Sequence, residues 1–239
     1  MLKRIKSEVI DNRNMHKTNS NKLQEIYWAN VYHDSIRGRK GFETLALNIG
    51  RWAGSYPFFY VLNRILFDYK PNKIIEFGLG ESTKFISTFI EHHHPSRHFV
   101  MEQDQQWVDH FSANFNLHEQ VQIAVSPLQK EIVRGHAVNV YTDIHRFVSG
   151  KFDLYIVDGP YGSEHFSRYD IVKLAENFEA SDEFIIILDD YNRKGEQDTA
   201  KALMALFTQK NIPIHKGLYQ GEKSVLILAT DKYKYTKTL

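Results

Sequence analysis

The chain has 239 residues, enough for one large domain with a hydrophobic core of its own. Its 30 Lys and Arg balance 29 Asp and Glu to a net charge of +1, so no global field draws in nucleic acid or a membrane surface. With no cysteine, disulfides, thiolate zinc sites and cysteine nucleophiles are excluded together.

In chain order, the first forty residues are polar and rich in Asn, Lys and Arg, with an aromatic cluster, Tyr27, Trp28 and Tyr32, that implies a helix packing on something. Residues 1–55 are therefore expected to form an N-terminal helical extension, with Trp28, Tyr32 and Arg37 serving a lid or a homodimer surface. The opening "MLKRIKSEVIDNRN" is basic but lacks the apolar stretch of a secretory signal. The most apolar run, "YPFFYVLNRILF" (56–67), is broken by Asn63 and Arg64 and falls short of the roughly 20 residues that span a bilayer. A soluble, cytoplasmic protein is expected.

Phe59, Leu62, Ile65 and Leu66 recur at helical spacing, and "KPNK" (70–73) ends that helix. Short apolar runs then alternate with amphipathic segments. The runs are "KIIEF" (73–77), "HFVME" (98–102), "VQIAV" (121–125), "FDLYIVD" (152–158) and "EFIIILDD" (183–190). Between them, "STKFISTFIEHH" and "RYDIVKLAENF" have helical spacing. The alternation argues for right-handed βαβ units. In "IPIHKGLYQGEKSVLILAT" (212–230) two apolar runs flank "YQGEK" with no room for a helix, which gives an antiparallel hairpin at a sheet edge. The fold class is α/β: a doubly wound, mostly parallel seven-stranded sheet over residues 56–239, with a terminal antiparallel hairpin.

The first strand runs into "EFGLGEST" (76–83), where Gly78 and Gly80 make a tight turn and Ser82 and Thr83 open the next helix. Ligands in open α/β sheets bind at such strand ends. The second strand ends in Glu102, 22 positions beyond Gly80, a spacing that suits a carboxylate gripping both hydroxyls of a ribose. A dinucleotide fingerprint would put its third glycine at position 83, which is Thr83, and Glu76 would repel a pyrophosphate while suiting an ammonium. Both features tip the reading away from NAD.

"EFGLGEST", "FVMEQDQQW", "FDLYIVDGP" and "FIIILDD" together resemble class I S-adenosylmethionine-dependent methyltransferases over residues 56–230. The resemblance implies a Rossmann-like fold and S-adenosyl-L-methionine as cofactor. It also implies that Glu76, Gly78 and Gly80 line the methionine part, Glu102 binds the ribose, Gln103 flanks the adenine and Asp158 faces the reacting centre.

Two further strands end in acid, at Asp158 and at Asp189–Asp190, and strand ends of one sheet share a rim. Three carboxylates there suit Mg²⁺ or a similar divalent cation. The arrangement is similar to catechol- and caffeoyl-type O-methyltransferases, from which it departs in having Asp-Asp where they have Asp-Asn. The alternative is a helix cap or an ion pair with Arg193. The loop "DGPYGSEHFSRYD" (158–170) carries His165, a candidate base for an acceptor hydroxyl, and Arg168. Arg168 and Arg193 would flank the acceptor and favour an anion. "EHHHPSRH" (91–98) reads as a surface turn, and Trp107 as either core or a wall of the adenine site.

The expected function is methyl transfer to an oxygen of a small or glycan-linked, anionic acceptor, with Asp158, His165 and Asp190 as catalytic groups. The rivals are an aminopropyltransferase of the same fold and a methyltransferase-fold binding protein without turnover.

Overall fold

The computed structural model describes residues 2–148 and 150–239, with side chains outside residues 2–9; Met1 of the expected extension lies outside the described residues. The extension is a single 35-residue helix, α1 (Leu2–Ile36). Residues 10–20 are exposed, and the C-terminal part packs on the body of the protein. Tyr32 is buried among Phe59, Phe85 and Tyr56, and the Trp28 ring lies on Tyr60 and Tyr219. Tyr27 stays exposed, and Arg37 pairs with its neighbour Asp34 on the surface.

Helix α2 (Tyr56–Tyr69) starts with Pro57 in its first turn, where a missing amide is harmless, and stops at Lys70 in the left-handed region (φ 48°). Then follow β1 (Lys73–Phe77), α3 (Glu81–His92), β2 (Arg97–Glu102), α4 (Gln105–Asn114) and β3 (Val121–Val125). Asp104 caps α4 by accepting from the amides of Gln106 and Trp107. After a separate hairpin, β4 (Leu128–Val133) and β5 (His136–Tyr141), the main sheet resumes. Its remaining elements are α5 (Ile144–Phe147), β6 (Leu154–Val157), α6 (Asp170–Ala175), β7 (Ile185–Leu188), α7 (Lys194–Gln209), β8 (His215–Gln220) and β9 (Ser224–Ala229), with a 3₁₀ helix over Asp231–Thr238.

The sheet has seven strands in the order β3-β2-β1-β6-β7-β9-β8. All neighbours are parallel except at β9, which runs antiparallel to β7 and β8. The doubly wound sheet and its terminal hairpin are as the alternation of runs predicts. Central β6 and β7 are buried along their whole length, which is why "LYIV" and "IIIL" read as unbroken apolar runs. Alternate residues serve two cores. Ile74, Ile156 and Ile187 face the α1–α3 side, and Ile75, Tyr155 and Ile186 face α6 and α7.

Neither the hairpin β4–β5 nor the helices α4, α5 and α7 are among the elements named from the sequence. The hairpin's two-residue turn, Arg134–Gly135, has φ of 48° and 85°, the positive pair that a tight right-twisted hairpin requires. Among the described residues no helix is long and apolar enough to cross a membrane.

Candidate active site at the switch point of the sheet

Strand β1 lies between β2 and β6, so the chain winds outward in both directions from the gap between β1 and β6. At their carboxyl ends the two turns are in backbone contact. Gly78 (φ +96°) donates its amide to the Met101 carbonyl at 2.8 Å. A Cβ on Gly159 would sit 2.8 Å from the Gly78 nitrogen, so both turns must be glycine for the strand ends to approach. A Cβ on Gly80, by contrast, would meet nothing within 4 Å. Gly80 faces a cavity of about 770 Å³ that runs across this gap, a size suited to a cofactor together with part of a second substrate.

The end nearer β2 is held by backbone. Glu102 accepts from the amides of Leu79 (2.8 Å), Gln103 (2.7 Å) and Asp104 (3.1 Å) and lines the cavity. Burial raises its pKa, and those three amides oppose the rise. Gln103 also lines the cavity, its Oε1 accepting from the Tyr161 amide at 3.3 Å. Trp107 joins the same wall, tied by its indole N–H to the Leu79 carbonyl at 2.8 Å.

Glu76 is not among the residues lining the cavity. Strand alternation turns it under α3, fully buried, where it accepts from the Ser82 hydroxyl and, at 2.9 Å, from Thr83. His98 of β2 lies 3.0 Å away, equally buried. Ser82 reaches the cavity wall and Thr83 does not. His98 belongs to the segment expected as a surface turn. His93 and His94 do lie in that turn, bonded to the Lys40 carbonyl and to Asn72. His98, Val100 and Glu102 alternate onto one face of β2, a signal available in the sequence.

The end nearer β6 and β7 is held by charge. Asp158, Asp189 and Asp190 each bring one oxygen within 4.8 Å of the others. Arg168, buried beneath them, contacts Asp190 at 2.8 Å, Asp158 at 3.2 Å and Glu196 at 3.6 Å, and donates to the carbonyls of Asp189 and Val157. Lys223 lies 3.4 Å from Asp190, and Arg193 3.1 Å. Burial, then the neighbouring Asp189, pushes Asp158 up to about 8. Burial and Asp190 push Asp189 to about 6. Burial works in the same direction on Asp190, but Arg168, Lys223 and Arg193 outweigh it and hold that carboxyl below its ordinary range.

The structure gives three residues surroundings other than the expected ones. Arg168 does not hold its guanidinium ready for an acceptor, because it neutralises the carboxylates at its own strand ends. Arg193 keeps one nitrogen on Asp190 but remains 52% exposed at the cavity mouth. His165 is not brought to the cavity. Its Nδ1 lies 2.8 Å from Asp198, which also pairs with Lys194, and its ring stacks on His136 at 4.0 Å. The expected lid residues Trp28, Tyr32 and Arg37 are likewise away from the cavity, whose outer wall is the segment 48–54.

The donor set does not suit a resident divalent cation. Asp158 and Asp190 already have guanidinium or ammonium groups within 2.8–3.4 Å of the oxygens a metal would need, and those cations would repel it. Both oxygens of Asp189 are buried without a hydrogen-bond partner, and burial raises the pKa of Asp189 as it does that of Asp158.

No protein-family model matches the chain, and no curated protein matches its sequence. Among solved structures, an O-methyltransferase from Bacillus cereus in complex with SAH is similar at a TM-score of 0.52 and 11% identity, with 89% of this chain and 100% of that one covered. A putative caffeoyl-CoA O-methyltransferase from Staphylococcus aureus is similar at a TM-score of 0.51 and 10% identity, over 87% and 100%. The fold is thus the Rossmann-like fold of class I methyltransferases.

Proposed function

We propose that the chain is an S-adenosylmethionine-dependent methyltransferase acting on an oxygen of a small acceptor. Residues 56–239 would form the catalytic unit and 1–55 an extension that contributes one wall. The observation that carries this reading is the continuous cavity joining the open Gly78–Gly80 turn and Glu102 to Asp158. The solved structures of this fold above are named as O-methyltransferases, one of them in complex with S-adenosylhomocysteine (SAH), which is consistent with that use of the cavity.

Gly78, Gly80 and Ser82 would cradle the methionine part of the cofactor. Glu102 would accept from the ribose hydroxyls, and Gln103 with Trp107 would border the base. Glu76 acts one layer below, fixing Ser82 and Thr83 and so the start of α3. When bound, the cofactor supplies an electrophilic methyl group. Asp158 meets the cavity, and its ionised form would serve as the base that takes the acceptor's hydroxyl proton; the burial that raises its pKa to about 8 makes that form a stronger base while reducing its share at neutral pH. Asp190, kept ionised, fixes Arg168, Arg193 and Lys223 around it. Most of the rate enhancement then comes from alignment and exclusion of water. Three cations on the acid rim disfavour a polyamine, and with it an aminopropyltransferase.

Thermal shifts with S-adenosylmethionine, its decarboxylated form, SAH and NAD test the reading. Saturation at a hundred times Kd stabilises by about 2.7 kcal/mol. We expect this for S-adenosylmethionine and SAH, and no loss of transfer in EDTA. Stabilisation by NAD alone would overturn the proposal, and activity that needs added Mg²⁺ would reassign the three aspartates to a metal.

A further inference from the structure

The outer wall of the cavity is a short strap, residues 48–54, for which the cofactor and base roles give no use. The strap is a built element. Gly50 (φ +90°) donates to Gly54 at 2.9 Å and accepts from Ala53 at 3.0 Å, forcing Arg51 into the left-handed region at φ 54°. Two contacts fasten it to the body: the Asn48 amide to Glu81 at 3.1 Å and the Lys223 ammonium to the Ala53 carbonyl at 2.9 Å. A non-glycine residue at positive φ persists only where its surroundings impose it.

The strap presents two side chains to the cavity. Trp52 is 93% exposed although it lines the cavity wall. Tyr161, from the loop after β6, lines the same cavity at 70% exposure. Arg51 is exposed beside Trp52, and among the described residues no hydrogen bond or ion pair engages its side chain. Arg193 brings the free part of its fork to the same mouth. An indole and a phenol offer flat faces for stacking, and two guanidinium groups offer planar donors for a carboxylate or phosphate. A linear neutral acceptor would leave all four unsatisfied.

We propose that Trp52 and Arg51 form the acceptor subsite, and that the acceptor presents a ring face to Trp52 and an anionic group to Arg51 and Arg193. This rests on the methyltransferase reading and narrows its acceptor to ring-bearing acids, with aromatic and sugar rings sharing the same chemistry.

Isothermal titration of the full chain, saturated with SAH, tests it. The two anionic ring probes are 4-hydroxybenzoate and glucuronate, with succinate as a ring-free anion and phenol as a neutral ring. We expect at least one ring acid to bind more tightly than succinate and phenol, and the one that binds names the source. Trp52→Ala and Arg51→Gln should each weaken that probe at least tenfold while SAH affinity changes less than twofold. Trp52 is solvated, so its variant should keep the wild-type Tm. The proposal falls if neither ring acid binds, if the variants bind the probes as wild type does, or if SAH affinity drops in parallel, which would put Trp52 over the cofactor instead. Failure of the wild-type chain to bind SAH at all would bring down the methyltransferase reading itself, a result distinct from any of these.

Discussion

The two ends of the cavity handle buried carboxylates in opposite ways. Beside β1 and β2, Glu102 is satisfied by three backbone amides and Glu76 by two hydroxyls, most of them within a few residues in sequence. Beside β6 and β7, Asp158, Asp190 and Glu196 depend on side-chain cations from three separate segments, carrying Arg168, Arg193 and Lys223. The first end is a property of one turn and its flanks. The second is a charge balance that exists only once the whole sheet is assembled, so it should be the more fragile of the two.

The largest expected effect tests that fragility. Arg168→Met leaves several carboxylates buried without their shared cation, and losing one partner of a buried ion pair typically costs about 3–5 kcal/mol. Urea denaturation should show a loss of that order. A loss below about 1 kcal/mol would mean that protons, not Arg168, balance the cluster. At the other end, Glu102→Ala should weaken SAH binding by about 1–3 kcal/mol through lost charge-assisted hydrogen bonds. An unchanged affinity in a folded variant would remove Glu102 from the cofactor site and erase the contrast.

The smallest effect sharpens the comparison through pH. Asp158 and Asp189 are raised to about 8 and about 6. Between pH ~4 and ~8 the native state therefore holds protons that the unfolded chain has released. Stability must fall as pH rises through that window, the reverse of a carboxylate depressed by a salt bridge. Asp190 is lowered, so its contribution has the ordinary sign and is lost only in acid below that window. Asp158→Asn should remove part of the slope, on the order of 1 kcal/mol between pH 5 and 8.5, given that the side chain keeps 21% exposure on the cavity. Melting curves of the two proteins that stay parallel across this range would refute the shift.

The same division decided what could be read from the sequence. Short apolar runs located every strand of the main sheet, most plainly the central ones, where burial on both faces writes unbroken runs such as "IIIL". The glycine turn and Glu102 were legible because each ends an apolar run of its own and the 22-position spacing between Gly80 and Glu102 matches a known use of such strand ends. The hairpin β4–β5 was not, since its strands are half exposed and its turn is the inconspicuous Arg134–Gly135. Arg168 looked like a free recognition group because nothing local reveals that Asp190 and Glu196, 22 and 28 positions on, converge beneath it. Arg51 and Trp52 escaped notice for the complementary reason that a strap has no period. Their signal is exposure in a cavity wall, a quantity only the fold supplies.

The docking of α1 constrains the order in which the chain can be completed. Glu25 accepts from the amides of Tyr56 and Glu222, and the Trp28 indole N–H donates to the Gln220 carbonyl, 192 positions away. The receiving surface of α1 is thus made in two instalments: α2 and α3 seat Tyr32 through Tyr56, Phe59 and Phe85, and the β8–β9 hairpin adds Tyr219 and the Gln220 carbonyl around Trp28. At about 5–20 residues per second, roughly 10–40 s separate the emergence of Trp28 from that of its partner. Through that interval the aromatic face of the first helix has no finished seat. The nascent chain presents Trp28 to whatever surrounds the ribosome until β8 supplies Tyr219 and the Gln220 carbonyl.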